Sequence, residues 1–171
     1  MELLIGQIIV TTISVTAGAF LALLIDRGKN ARVERRGEVN ALRLLALEVA
    51  SRRAFAPDQL AGPVSLDRAD PDSDLNRVCR SIVLLRKDVR SARKALRSTS
   101  AAWQPLNAMV AACNVFIEAV EEHPARLGAE LDALRLEFDR LVQQMCAAHP
   151  RELRFWPAGS AAYNAAPAAR P

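Results

Sequence analysis

Aromatic side chains are scarce, 5% of the 171 residues, and only 7 residues are glycine. Sheet-rich proteins draw on aromatic and β-branched residues for strands and on glycine for repeated tight turns. The composition therefore argues against β structure. Cysteine is limited to Cys79, Cys113 and Cys146, an odd number with no paired spacing. That excludes a disulfide framework and suits reduced thiols. Each lies close to Val, Phe or Met, and each is read as a small buried hydrophobe.

Histidine is nearly absent too. His123 and His149 both precede prolines at the expected ends of helices, where a cation opposes the helix dipole. Cys146-x-x-His149 is a single pair with no second pair to complete a metal site. No phosphate-binding glycine loop, nucleophile elbow, H-E-x-x-H or C-x-x-C motif occurs. No metal, cofactor or catalytic constellation is expected, and the chain is read as non-catalytic.

What the sequence does hold is one long uncharged run. Leu3 to Ile25 is 23 consecutive residues without a charge. As a helix it spans roughly 35 Å, enough for one pass through a hydrocarbon core about 30 Å thick. Glu2 precedes it, whereas Arg27, Lys29, Arg32, Arg35 and Arg36 follow. By the positive-inside rule the C-terminal side is cytoplasmic and the N-terminus outside. A cleaved signal peptide is the rival reading, with Ala17-Gly18-Ala19 as the cut. It lacks a basic leader, its apolar run exceeds the usual roughly 7–15 residues, and apolar residues continue to Ile25. Ser14, Gly18 and Ala22 recur every four residues, the small-residue seam that lets two membrane helices approach closely. Self-association through that seam is the expectation, with homo-oligomers as its product.

The remaining chain divides by punctuation and periodicity. Residues 1–26 read as the transmembrane anchor and 27–56 as a basic juxtamembrane region leading into a first helix, from about Asn30 to Phe55. Its stripe is Val39, Leu42, Leu45, Ala46, Val49 and Ala50, widened by Leu44 and Leu47. Pro57 should stop it. Residues 57–73 carry Pro57, Gly62, Pro63 and Pro71 and read as a loop. Asp70, Asp72 and Asp74 open like a calcium loop, but Leu75 and Ser81 stand where glycine and a bidentate glutamate are needed. These acids, with Asp67, are read as helix N-terminal caps.

Residues 74–149 read as helical hairpins. A second helix over 74–98 shows an unbroken heptad seam, Leu75, Val78, Ile82, Leu85, Val89, Ala92 and Leu96. A third, opened by Pro105, presents Leu106, Met109, Val110, Cys113, Phe116, Ile117 and Val120. A fourth over 125–148 presents Leu127, Leu131, Leu134, Phe138, Leu141 and Met145. Residues 150–171 lack periodicity and read as a disordered tail rich in Pro and Ala. Within it Leu153, Phe155, Trp156 and Tyr163 form a short motif for docking a partner or packing back. The expected fold is all-α: one transmembrane helix, then a cytoplasmic antiparallel bundle of three or four helices.

Charge is segregated by helix. Residues 74–99 carry eight basic and two acidic groups, and residues 103–148 three basic and seven acidic. The basic set is Arg77, Arg80, Arg86, Lys87, Arg90, Arg93, Lys94 and Arg97. The opposed charges favour pairing of these cations with Glu118, Glu121, Glu122, Glu130, Asp132, Glu137 and Asp139 inside the bundle. Left unpaired, they would suit a polyanion, either nucleic acid or anionic lipid. Nucleic acid is disfavoured because no aromatics interleave the cations.

The stretch Gly18 to Arg27 ends in Asp26-Arg27, is followed by an arginine-rich segment, and leads to Leu44-Leu45-Ala46-Leu47-Glu48. It resembles small bacterial single-pass membrane proteins with an anchor ending in Asp-Arg and a leucine-rich helix bearing a Glu. The likeness covers roughly the first 50 residues. Ser51-Arg52-Arg53 stands where that pattern often has an Asn. The resemblance implies a bacterial inner-membrane origin and carries over no activity. The expected function is a membrane-anchored interaction or scaffold protein with an unidentified protein partner; polyanion binding through the basic helix and a membrane-linked signalling role are the alternatives.

Overall fold

The computed structural model of the full chain describes Lys29, residues 31–56, Leu60 and residues 64–162. Two compact units divide the chain, Met1–Gly37 and Glu38–Pro171. Of the first, residues 29 and 31–37 are described; they are helical and exposed. The apolar run Leu3–Ile25, with Ser14, Gly18 and Ala22, lies outside the described residues. Among the described helices, none is long and apolar enough to cross a membrane.

The second unit is all-helical among its described residues. Helical residues continue to 51, and the portion over 38–51 is called α1. Its predicted stripe, Val39 to Ala50, is buried throughout. Leu44 and Leu47 do not widen it: Leu44 is 68% exposed. At 100° per residue they point away from the stripe's centre, toward the walls of open clefts. The helix stops before Pro57 is reached. Arg52 leaves helical geometry, and Arg53–Phe55 form one 3-10 turn.

Helix α2 spans Asp74–Lys94. Its cap is Ser73, whose hydroxyl accepts the Asn76 N–H at 3.3 Å. The aspartates predicted as caps serve the loop instead. Asp67 and Asp70 each accept an N–H two residues on, and Asp74 accepts the Ser65 N–H. Serine already occupies the one position from which a side chain reaches the first free N–H groups. The heptad seam is fully buried, including Leu96 beyond the helix end.

Helix α3 spans Trp103–Glu122 with Pro105 in its first turn. A short 3-10 turn, Pro124–Arg126, leads into α4, Leu127–Ala148. His123 and His149 close α3 and α4 as C-caps, each donating its backbone N–H to a carbonyl in the last turn. All six predicted α4 core positions are buried, and Phe138 packs on Phe55 with ring centroids 5.4 Å apart. Each such side chain contributes roughly 1.5–3 kcal/mol by leaving water.

Cross-helix bonds define the packing. Arg86 meets Asn114 and Arg93 meets Asn107, so α2 and α3 run antiparallel. Arg52 meets Asp88 and Arg97 meets Glu38, which sets α1 antiparallel to α2. His149 lies near Glu38 while Phe138 packs on Phe55, so α4 also flanks α1. With the short α3–α4 link, four helices close into an antiparallel bundle.

The expectation of a disordered tail over 150–171 is corrected for residues 150–162, which pack against the bundle. Leu153 and Ala158 are buried. The Ala158 N–H donates to Asp139 Oδ1 at 2.6 Å. Gly159 and Ala161 donate to the Val49 and Ala50 carbonyls at 3.1 and 2.9 Å. Those carbonyls belong to the last turn of α1, where the helical ladder runs out; Val49 also accepts the Arg52 N–H at 3.3 Å. Gly159 is required there. Its φ is +75°, and a Cβ would stand 2.3 Å from the Phe55 carbonyl group. Periodicity cannot see such a segment, because its order comes from backbone donors rather than an apolar stripe.

Candidate interaction surfaces

Ionisable side chains gather at one buried place. Glu38, at the start of α1, is fully buried. Arg97, just beyond α2, donates Nε–H to Glu38 Oε2 at 2.6 Å. His149 at the end of α4 places Nε2 3.9 Å from Glu38 Oε1. Neither of those two atoms has a hydrogen-bond partner among the described residues. Burial pushes the Glu38 carboxyl up, but the Ser100 hydroxyl, the Arg97 guanidinium and the charges of Arg97 and His149 outweigh it. The net effect holds the group below the ordinary carboxylate value. A sealed carboxylate has no route to a substrate, so this cluster ties three helix ends together.

The thiols are chemically quiet. Burial pushes Cys113 up to about 12 and raises Cys79 and Cys146. All three are free and stay protonated near neutral pH, which makes them weak nucleophiles. Among the described residues, no three metal-ligating side chains converge.

The basic set of α2 is not neutralised by the acids of α3 and α4. Arg86 and Arg93 donate to the carboxamides of Asn114 and Asn107, Arg80 to the Pro71 carbonyl, and Arg97 to Glu38. Arg77, Lys87, Arg90 and Lys94 are exposed and form no ion pair among the described residues. The acids turn to nearer partners. Glu130 meets Arg126, Glu137 meets Arg140, and Asp139 holds the Ala158 N–H. For the cations from 86 to 97 the cause is register, whereas Arg77 and Arg80 lie at the end of α2 nearest the α3 acids and still form no ion pair with them among the described residues. In the antiparallel α2–α3 pair, the acidic end of α3 (Glu118, Glu121, Glu122) lies beside the start of α2. The cations from 86 to 97 lie opposite residues 103–114, a stretch with no acid.

Three open clefts flank the bundle. One of about 450 Å³ lies between α1 and α2, lined by Ala41, Leu44, Ser91 and Ala95. Another, about 410 Å³, lies between α3 and α4 and is lined by alanines with Val115 and Glu137. The third, about 530 Å³, lies between α1 and the packed tail, with Arg43, Leu47, Arg151, Arg154 and Trp156 on its walls. Of the docking motif, Leu153 turns inward while Phe155 and Trp156 stay exposed; Tyr163 lies outside the described residues. Sequence periodicity missed Glu38 and His149 as partners because they are 111 positions apart and each sits at a helix end.

These features define the class: an all-α antiparallel bundle, with the buried Glu38 cluster closed and its clefts open. The chain matches no family model, no curated protein and no solved structure.

Proposed function

We propose that the chain is a non-catalytic interaction or scaffold protein. In this reading Leu3–Ile25 anchors it in a bacterial inner membrane, N-terminus outside, with the bundle in the cytoplasm. The observation that carries the binding role is the contrast between a sealed ion cluster and three open clefts edged by exposed apolar side chains. Leu44, Leu47, Val115 and Trp156 are large apolar residues that line these clefts and stay exposed, and such groups mark contact surfaces when they edge a groove. Anchoring would confine the bundle to the membrane face and raise its effective concentration toward partners there. Chemical crosslinking in native membranes with mass spectrometry tests this. Crosslinks from lysines or engineered cysteines at 44 and 115 to another protein, or to a second copy, are expected. A bundle that crosslinks only within itself would sink the reading.

A second reading is favoured by the cations Arg77, Lys87, Arg90 and Lys94, which are exposed and form no ion pair among the described residues. They would attract an anionic polymer or lipid headgroups, at about 1 kcal/mol per basic residue near an anionic surface. Binding of the full chain to anionic vesicles or RNA should then weaken steeply with salt. It should also drop in the double variant Lys87→Glu, Lys94→Glu. Salt-independent binding, or none, removes this reading.

A further inference from the structure

The cleft beside the packed tail has a more specific shape than its neighbours. Leu153 is buried and donates its N–H to the His149 carbonyl at 2.9 Å. Ala158 is pinned to Asp139 and Gly159 to the Val49 carbonyl. Residues 154–157 are therefore stretched between two fixed points. The backbone N–H groups of Arg154, Phe155 and Trp156 make no hydrogen bond among the described residues. The segment thus offers a short backbone edge, held at both ends, of the kind to which an extended peptide adds.

The side chains around that edge are cationic and aromatic. Arg151 and Arg154 are exposed and form no ion pair among the described residues. Arg43 reaches across the cleft and donates to the Glu152 carbonyl at 3.0 Å. Three guanidinium groups against the single carboxylate of Glu152 leave the lining positive. Guanidinium groups bind carboxylates in bidentate fashion. Trp156 is 46% exposed at the rim, and Trp with Arg is the pairing most often found at the energetic centre of interfaces.

Resting on the interaction reading above, we infer that this cleft docks an extended acidic peptide segment of a partner protein. The peptide backbone pairs with the 154–156 edge, its carboxylates meet Arg151 and Arg154, and an apolar side chain packs on Trp156. Charge excludes the nearest segment of this chain as occupant: residues 163–171 contain Arg170 and no acid. A concave cleft with a backbone edge suits a peptide better than a flat lipid surface.

The test uses the full chain in detergent micelles. The probe is an array of ten-residue peptides that alternate Glu or Asp with Val, Leu or Phe, each paired with a version carrying Lys at every acid. Acidic peptides should bind and the Lys versions should not. The double variant Arg151→Ala, Arg154→Ala should bind about tenfold or more weakly, with an unchanged melting temperature because both residues are exposed. Trp156→Phe should abolish the fluorescence change on binding. Equal binding of acidic and Lys peptides, an unaffected double variant, or an array with no binders would overturn the inference. So would a double variant that loses only phosphatidylglycerol vesicle binding or only self-association. Partner crosslinks that persist beside a blank array would leave the scaffold reading standing and remove this inference alone.

Discussion

Helix α2 meets its two neighbours through different chemistry, although it offers arginine to both sides. Toward α1, charge meets charge: Arg97 holds buried Glu38 at 2.6 Å, and Asp88 accepts from Arg52 at 2.7 Å. Toward α3, charge meets carboxamide: Arg86 and Arg93 meet Asn114 and Asn107, seven residues apart on each helix. A heptad step in both helices keeps the two bonds on one seam. The antiparallel register sets the α3 acids away from the α2 cations between residues 86 and 97, beside the start of the helix instead. Net charge per helix suggests attraction; register decides which groups meet. The α1 side therefore carries buried electrostatics, and the α3 side leaves cations open to solvent.

The sharpest way to break this contrast is at Arg97. Arg97→Ala strands a buried carboxylate and should cost about 3 kcal/mol, read as a fall in the urea midpoint of the full chain in micelles. A loss below about 1 kcal/mol would mean the pair behaves like a surface ion pair. Next comes pH. The folded-state value of Glu38 is lowered, so its contribution is complete above the ordinary carboxylate value of 4.5 and fades as pH falls through the lowered value. Unfolding midpoints measured from pH 7 to pH 3 should drop less steeply in Glu38→Gln than in the parent. Parallel pH curves for the two proteins would remove Glu38 as a source of that dependence.

A smaller effect is expected at Arg52, which is largely buried and shared between Glu48 and Asp88. Both carboxylates are themselves more than a third exposed, so Arg52→Ala should cost about 1–2 kcal/mol. High salt should shrink that difference only slightly if the buried guanidinium dominates. The smallest change sharpens the α3 side. Asn114→Asp would give Arg86 a carboxylate and should stabilise the fold by about 0.2–1 kcal/mol, diminishing as salt is added. A destabilised Asn114→Asp would show that Arg86 already meets its need through the carboxamide.

Much of this architecture was legible in residue order because apolar stripes have a period. The predicted α2 and α4 core positions are all buried, as is the α1 stripe from Val39 to Ala50 apart from its widening by Leu44 and Leu47, since a stripe at helical spacing has one stable outcome, burial against another stripe. Less legible were positions decided by a single neighbour. Ser73 took the cap that four aspartates seemed to compete for. Leu44 and Leu47 were left exposed because no described helix covers them. The 150–162 segment gained order from carbonyls at the end of α1, more than a hundred residues away.

Sequence by itself determined the all-α class, a bundle of three or four helices, the seams and the absence of known catalytic motifs, because these follow from local periodicity and composition. It also set the anchor expectation, which rests on an unbroken apolar length. Only the tertiary structure decided the pairing of Glu38 with Arg97 and His149, the open basic face of α2 and the arginine-lined cleft beside Trp156. Those depend on which helix ends meet, and antiparallel register is a property of packed helices rather than of any one of them.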